Sequence, residues 1–394
     1  MHTFYEFFAG GGMARAGLGR GWKCLFANDI DTKKAAAYRE NWGSRDLIEK
    51  DVATVSLSKL PDRADLAWAS FPCQDLSLAG AGAGLKAKRS GTFWPFWDLM
   101  RSLVKEGRGP KLIVLENVYG ALTSHGGKDF AAIGSALSGS GYRFGAMVID
   151  AVHFVPQSRP RLFIVGVHQG LKIPSDLRIK EPNPLWHLGS LVSAQEVLSQ
   201  SARKKWIWWN LPTPEERQAT FADLIERVPL GVEWHTPEQT ERLLDMMTPL
   251  HREKVSRAQA ANRLMVGGVY KRTRQGVQRA EARFDDVSGC LRTPAGGSSR
   301  QIILVVEGKK VSSRLVSPRE TARLMGLDDR YKLPTKYNAA YHLTGDGVVV
   351  PVVRFLASNV LEPILKENVR ETRRPHERRN RTMPAEPRTA TAHT

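Results

Sequence analysis

Apolar residues along the first 167 positions come in short runs broken by glycine, proline or acidic residues, and helical spacing separates the runs. Phe4 to Phe8 is an apolar run that stops at Gly10-Gly11-Gly12, and a helical stretch from Met13 to Arg20 follows. Lys23 to Ala27 reads as a second strand. Asp31 to Asn41 reads as a helix capped by Asp31 or Thr32. Asp65 to Phe71 predicts a strand ending at Pro72, and Phe96 to Lys105 a helix. Leu112 to Leu115 and Arg161 to Val167 predict further buried strands. Short apolar strands alternating with helices imply an α/β fold, a doubly wound, mostly parallel sheet that binds ligands at the carboxyl ends of its strands.

The periodicity then breaks. Residues 171–310 mix a tryptophan cluster (Trp206, Trp208, Trp209) with prolines and basic runs, and 13 Lys and Arg stand against five Asp and Glu between His251 and Lys310. A separate, inserted domain is expected there. Order returns at Ser317-Pro318-Arg319-Glu320, a helix start with Pro in the first turn, and Val348 to Leu361 predicts an amphipathic helix. The expected divisions are 1–170, 171–310, 311–365, and a basic, disordered tail over 366–394.

Composition narrows the class. The chain has 394 residues, 42% hydrophobic and 25% charged, which excludes a wholly disordered or fibrous protein. No run of about 18 apolar residues suggests a membrane span, and Met1 to Tyr5 resembles no secretory signal. Three cysteines without metal spacing fit a reducing compartment; a cytoplasmic protein without a metal is expected. The net charge of +18 favours a polyanionic partner, nucleic acid first.

Four segments carry candidate chemistry. Phe7 to Gly17 places glycines between a strand and a helix, allowing a ligand close to the backbone. Arg15 occupies the third glycine position of the dinucleotide fingerprint, which therefore fails. Asp29 at the next strand end suits ribose hydroxyls. Ala69 to Asp75 puts a thiol, Cys73, at the sheet's carboxyl edge, where nearby cations would make it a nucleophile. Leu115-Glu116-Asn117-Val118 brings a carboxyl group to the same edge, able to hold a proton near neutrality in a dry pocket. Val155 to Arg161 sets Arg159 and Arg161 two apart on an extended segment, both facing a phosphate or a base carbonyl. Taken singly, each has a structural reading: a packing turn, a buried small thiol, a helix cap, a solvated basic loop.

Together, and in this order, the four resemble the DNA (cytosine-5) methyltransferase family of bacterial or phage type. Pro318 to Gly326 looks like that family's ninth motif, and Tyr341 to Val348 with Pro351 its tenth. The resemblance implies S-adenosylmethionine as cofactor. Phe8, Ala9, Gly10 and Gly12 would line its site, Asp29 would hold its ribose, and Ile30, Asp51 and Val52 would meet the adenine. Pro72, Phe93, Asp346, Gly347 and Val348 would complete the pocket. It implies Cys73 as nucleophile, Glu116 as acid, Arg161 at the cytosine carbonyl and Arg159 beside it. It further implies a site-specific transfer to carbon 5 of a cytosine flipped out of double-stranded DNA, through a covalent Cys73 adduct. Met13 replaces a glycine common in the family, Asp346 an asparagine, and Ser158 a basic residue.

The region 171–310 fills the slot of that family's target-recognition domain. Gln74, Ser77, Lys86, Lys88 and Arg89, after the nucleophile, are expected in a mobile loop over DNA. Lys271, Arg272 and Arg274 are expected on phosphates. Arg292, Arg300 and Gln301 bound a candidate base-reading loop. A monomer is expected, with a cognate restriction endonuclease as a possible companion. The competing readings are an RNA (tRNA) cytosine methyltransferase on the same fold, a NAD-dependent oxidoreductase, and a DNA-binding protein without catalysis.

Overall fold

The structure, a computed structural model, describes residues 1–72, 92–274, 276–292 and 300–369. Cys73, Gln74, Ser77, Lys86, Lys88, Arg89, most of the segment between Arg292 and Arg300, and the tail beyond 369 lie outside the described residues.

Seven strands form the central sheet: β1 (His2–Phe7), β2 (Trp22–Asp29), β3 (Leu47–Glu49), β4 (Leu66–Ser70), β5 (Leu112–Val118), β6 (Tyr142–Asp150) and β7 (Pro160–His168). Their spatial order is β3-β2-β1-β4-β5-β7-β6. The pairs among β1 to β5 are parallel, whereas β7 is antiparallel to both β5 and β6. The reversal has a simple cause. Between Asp150 and Pro160 there is only a short loop with one turn of 3₁₀ helix, too little chain for the crossover a parallel pair needs. The chain moves outward in both directions from β1 and β4, so a crevice opens at their carboxyl ends, where such sheets bind ligands.

Helices cover both faces: α1 (Met13–Leu18), α2 (Thr32–Trp42), α3 (Phe93–Lys105), α4 (Lys128–Gly139), α5 (Gly189–Glu196) and α6 (Gln200–Arg203). Period-two burial along β1 shows the two layers. Phe4 joins one core with Met13, Leu18 and Trp68, while Tyr5 and Phe7 join the other with Phe96, Trp97 and Met100. Asp31 caps α2 by accepting from the Lys33 and Lys34 amides, the cap its sequence announces.

The expected boundary at 171 is displaced. The short strands β8 (Arg178–Ile179) and β9 (Trp208–Trp209) pair with each other, with β9 against β6 of the central sheet. Trp206 packs edge-on against Phe144 and Phe130, and Phe144 exchanges backbone hydrogen bonds with Lys205 and Ile207. The tryptophan cluster therefore belongs to the large domain's core. The short α7 (Phe221–Leu224) follows; the separate unit comprises α8 (Pro237–Asp245), α9 (Pro249–Ala260) and a four-stranded sheet. That sheet, in the order β11-β10-β12-β13, is built from β10 (Met265–Arg274), β11 (Val277–Arg283), β12 (Ile302–Glu307) and β13 (Lys310–Leu315). Its own core holds Leu243, Leu244, Val255, Val269, Ala280, Leu304 and Val306.

The chain returns through α10 (Pro318–Leu324), α11 (Tyr337–Asp346) and α12 (Val350–Leu356). Ser317 and Glu320 form a reciprocal capping box on α10. Gly17 lets α12 approach α1, since a Cβ there would stand 2.4 Å from Val353 Cβ. The stretch Tyr337–Val369 is long and apolar enough to span a bilayer by composition. However, Val353, Leu356, Val360, Leu361 and Ile364 are fully buried in the large core, so its apolar residues are accounted for by packing.

Candidate active site

The crevice is built first from backbone. After β1 the chain turns through Phe8, Gly10 and Gly12, with φ of 55°, 54° and 76°. A side chain is strained in that region, which favours glycine. A Cβ on Gly10 would meet nothing within 4 Å, so its backbone faces open space, whereas one on Gly12 would stand 2.4 Å from Trp42 Nε1. The turn is held from behind. Trp42 Nε1 and the Tyr331 hydroxyl both donate to Gly11 O, at 3.0 and 2.7 Å.

Asp29 at the end of β2 accepts from the Gly10 amide at 2.7 Å and the Asp31 amide at 2.8 Å, one on each oxygen. Burial raises its pKa, opposed by those amides and by Lys34. A carboxylate has about four acceptor positions, so lone pairs remain for ligand hydroxyls. Ile30, next in sequence, is 65% exposed at the lip, an apolar surface suited to a flat ring. Asp51 caps the following turn through the Ala53 amide at 2.9 Å. Ala9, Val52 and Val348 are buried, Phe8 is half-buried against Phe96, and Pro72 is exposed. Lys34 Nζ lies 2.7 Å from Asp346, tying α2 to the end of α11. Met13, where a glycine is common, fills space against Gly347: a Cβ there would come 2.2 Å from its sulfur. The open glycine, the half-satisfied carboxylate and the exposed apolar lip fit an adenosine-bearing cofactor. The Phe93 ring is buried, stacked on Trp97 and packed on Phe71.

The second half of the site lies one strand over. Ser70 on β4 is in register with Glu116 on β5, and Asn117 Nδ2 donates to Phe71 O at 3.0 Å, tying the two strand ends together. Pro72 leads from that edge directly into Cys73. Glu116 is 6% exposed, and Arg161 Nε stands 3.4 Å from its Oε1. Burial raises the Glu116 pKa, only partly offset by Arg161 and Arg159.

Arg159 and Arg161 do not share a target. Arg159 is 2% exposed and its guanidinium is taken up by main chain. Nη1 donates to Leu291 O at 3.0 Å; Nη2 donates to Gly345 O at 2.7 Å and Gly347 O at 2.8 Å. Burial and the neighbouring Arg161 lower its pKa to about 10, which still leaves it charged near neutrality. It joins two distant segments, 291 and 345–347, to its own. Arg161 alone of the pair turns to Glu116.

The Gln301 amide is buried and donates to Val269 O at 3.2 Å and Ile302 O at 3.0 Å. Arg300 donates to Asn338 at 2.7 Å and lies over Tyr337, while Arg292 is exposed. Arg272 is half-exposed on β10, 3.5 Å from Glu281 and over the Tyr270 ring; Lys271 beside it is partly buried, and the backbone of Arg274 ends the strand.

Sequence reasoning missed Glu6, which lies buried behind the glycine turn. Its Oε1 accepts from the Arg15 amide at 3.2 Å, its Oε2 has no hydrogen-bond partner among the described residues, and burial lifts its pKa to about 8. A lone carboxylate inside the apolar run Phe4 to Phe8 was the available signal. Arg15, which breaks the dinucleotide fingerprint, donates to Tyr38 at 2.8 Å and lies over Trp42.

The profile of the family described as C-5 cytosine-specific DNA methylase matches residues 2–362. The chain belongs to that family. It is thereby a cytosine-5 methyltransferase by class. Among curated proteins it is similar to the type II methyltransferase M.HpaII of Haemophilus parainfluenzae, 26% identical over 92% of this chain and 90% of that one. It is also similar to the type II methyltransferase M.HhaI of Haemophilus parahaemolyticus, 28% identical over 91% and 93%. Among solved structures, the Dnmt2 methyltransferase of S. pombe shares the fold, with TM-score 0.58 and 17% identity over 92% of this chain and 99% of that one. Family and fold together imply use of S-adenosylmethionine. The match spans both domains of this methyltransferase, and the small domain separates motifs that the large domain reunites.

Proposed function

We propose that this methyltransferase acts on double-stranded DNA at a defined sequence, modifying carbon 5 of a cytosine swung out of the helix. The observation that carries the reading is Glu116, buried at the β4–β5 edge with its pKa raised and Arg161 at 3.4 Å, one strand from the segment that runs into Cys73. When bound, S-adenosylmethionine supplies an electrophilic methyl group. Gly10, Gly12, Asp29 and Ile30 would hold its adenosine part, and Asp346, Gly347 and Val348 its other end.

Carbon 5 of cytosine is a weak nucleophile by itself. The Cys73 thiolate adds to carbon 6, forming a carbon–sulfur bond, and Glu116 delivers its proton to ring nitrogen 3 as charge develops there. Its raised pKa favours the protonated form that can make this transfer. Arg161 holds the carbonyl oxygen and orients the ring. The resulting enamine is nucleophilic at carbon 5. After methylation, water removes the hydrogen at carbon 5, the carbon–sulfur bond breaks to release the Cys73 thiolate, and ring nitrogen 3 returns its proton to Glu116. A stacked base offers no path to carbon 6, so the cytosine leaves the helix at a cost of a few kcal/mol. The small domain, with Lys271, Arg272 and Arg274 on one strand, would carry DNA recognition, and Gln74, Ser77, Lys86, Lys88 and Arg89 would close on the phosphates.

Transfer of labelled methyl groups from S-adenosylmethionine to duplex DNA and to tRNA decides the substrate, and bisulfite sequencing of DNA from expressing cells gives the site. Label in tRNA alone would overturn the reading. An oligonucleotide carrying 5-fluorocytosine at that site should yield a denaturation-resistant adduct with the wild type and none with Cys73→Ser.

A further inference from the structure

Cys290 lies in the small domain's return strap, far in sequence from every motif of the site. Residues 288–291 run beside 156–159, with a single parallel bridge between Gln157 and Ser288. Ser158 N donates to Ser288 O at 2.9 Å and Ser288 N to Pro156 O at 2.8 Å. Leu291 N donates to Gln157 Oε1 at 3.1 Å, and Leu291 O accepts from Arg159. This pairing fixes the Cys290 side chain between two guanidinium groups. Arg159 Nη1 donates to its sulfur at 3.4 Å and Arg161 Nη2 at 3.9 Å.

Among the described residues, each arm of the Arg161 guanidinium therefore has one anchor: Glu116 for Nε at 3.4 Å, Pro160 O for Nη1 at 3.0 Å, and Cys290 for Nη2. The first is the group with which it acts. The second is its own neighbour and fixes little. We infer that Cys290 is a positioning residue for the Arg161–Glu116 pair, by which the small domain sets the geometry of the site. The inference rests on the function proposed above. It adds that a thiol from the domain assigned to recognition completes the catalytic arrangement in the other domain.

Charge makes the contact more than a spacer. Burial would raise the Cys290 thiol, but Arg159 and Arg161, with Arg292 on its own segment, more than offset it and hold the pKa below the ordinary thiol value. Tyr270 from β10 and Tyr341 from α11 complete its titratable surroundings. The lowered thiol pKa favours negative charge beside the two guanidinium groups, which opposes their pull on the Glu116 proton.

Two substitutions separate anchor from charge. Cys290→Ala removes both, and kcat should fall about ten- to a hundred-fold, the scale of a small misplacement in a reacting array, with KM for S-adenosylmethionine within two-fold. Cys290→Ser restores an acceptor without the charge. It should recover most of kcat at the optimum but keep the alkaline limb of the pH–kcat profile shifted to lower pH, as in Cys290→Ala. If both variants match the wild type in kcat and in the alkaline limb, the inference is wrong. An unchanged limb alongside lowered kcat would reduce Cys290 to packing and equally overturn it. Wild-type protein run alongside keeps the two claims apart, since absence of methyl transfer to DNA by the wild type would instead sink the proposed function.

Discussion

Replacing Arg159 by alanine or lysine discriminates between a side chain that faces substrate and one that holds the fold together. The guanidinium makes three short hydrogen bonds to carbonyl oxygens, of Leu291, Gly345 and Gly347, and is 2% exposed. Hydrogen bonds to charged groups contribute about 1.5–3 kcal/mol each when removed singly, but they are not additive and water will enter part of the space left. Truncating one partner of a buried charged arrangement costs about 3–5 kcal/mol, and that is the expected loss for Arg159→Ala. At an unfolding entropy of about 2.1 cal/mol/K per residue, a 394-residue chain shifts by about 1.2 °C per kcal/mol, so the melting temperature should fall by roughly 4–6 °C. Arg159→Lys keeps the charge, but a single ammonium group cannot serve carbonyls on two separate segments in the guanidinium's planar geometry, so it should lose at least half as much. Differential scanning calorimetry, with urea unfolding as a second measure, reads both. A side chain used only for catalysis would give variants as stable as the wild type and inactive; stability within about 1 kcal/mol for Arg159→Ala would refute the reasoning.

Glu6→Gln should flatten part of the pH–stability curve. A carboxyl whose folded pKa is raised to about 8 makes the native state bind more protons than the unfolded one between the ordinary carboxylate range and that value. Wild-type stability therefore falls as pH rises through this window, and the advantage of Glu6→Gln grows until about pH 8 and is constant above it; urea midpoints across pH test this. Gly12→Ala should weaken cofactor binding at least ten-fold by equilibrium dialysis, because the position combines φ of 76° with a Cβ 2.4 Å from Trp42. Gln301→Ala should lower the melting temperature yet leave the methylated sequence unchanged by bisulfite sequencing, since its amide bonds only backbone. Arg272→Ala should weaken DNA binding across sequences and reduce the slope of log K against log salt by about 0.9.

What the chain alone determined is local. The glycine turn after an apolar strand, the Asp31 cap, the Ser317–Glu320 box and the helix runs are dictated by neighbours in sequence, and the structure places each within a few residues of expectation. The order of motifs likewise identified the family, because each residue type is tied to its own strand end. Tertiary structure decided everything that depends on which distant segment arrives. Arg159 and Arg161 sit two apart on one extended segment, yet one meets carbonyls from residues 291, 345 and 347 and the other meets Glu116. Gln301 looks like a base reader in sequence and is buried because β10 passes beside it. Trp206 and Trp209 look like part of the insert but pack on the large domain, Trp206 against Phe144 and Trp209 in the other core layer. Cys290 carries no local signal at all. Its surroundings come from the strap pairing with residues 156–159, and a side chain's charge state and partners follow from the atoms packed around it, most of which are remote along the chain.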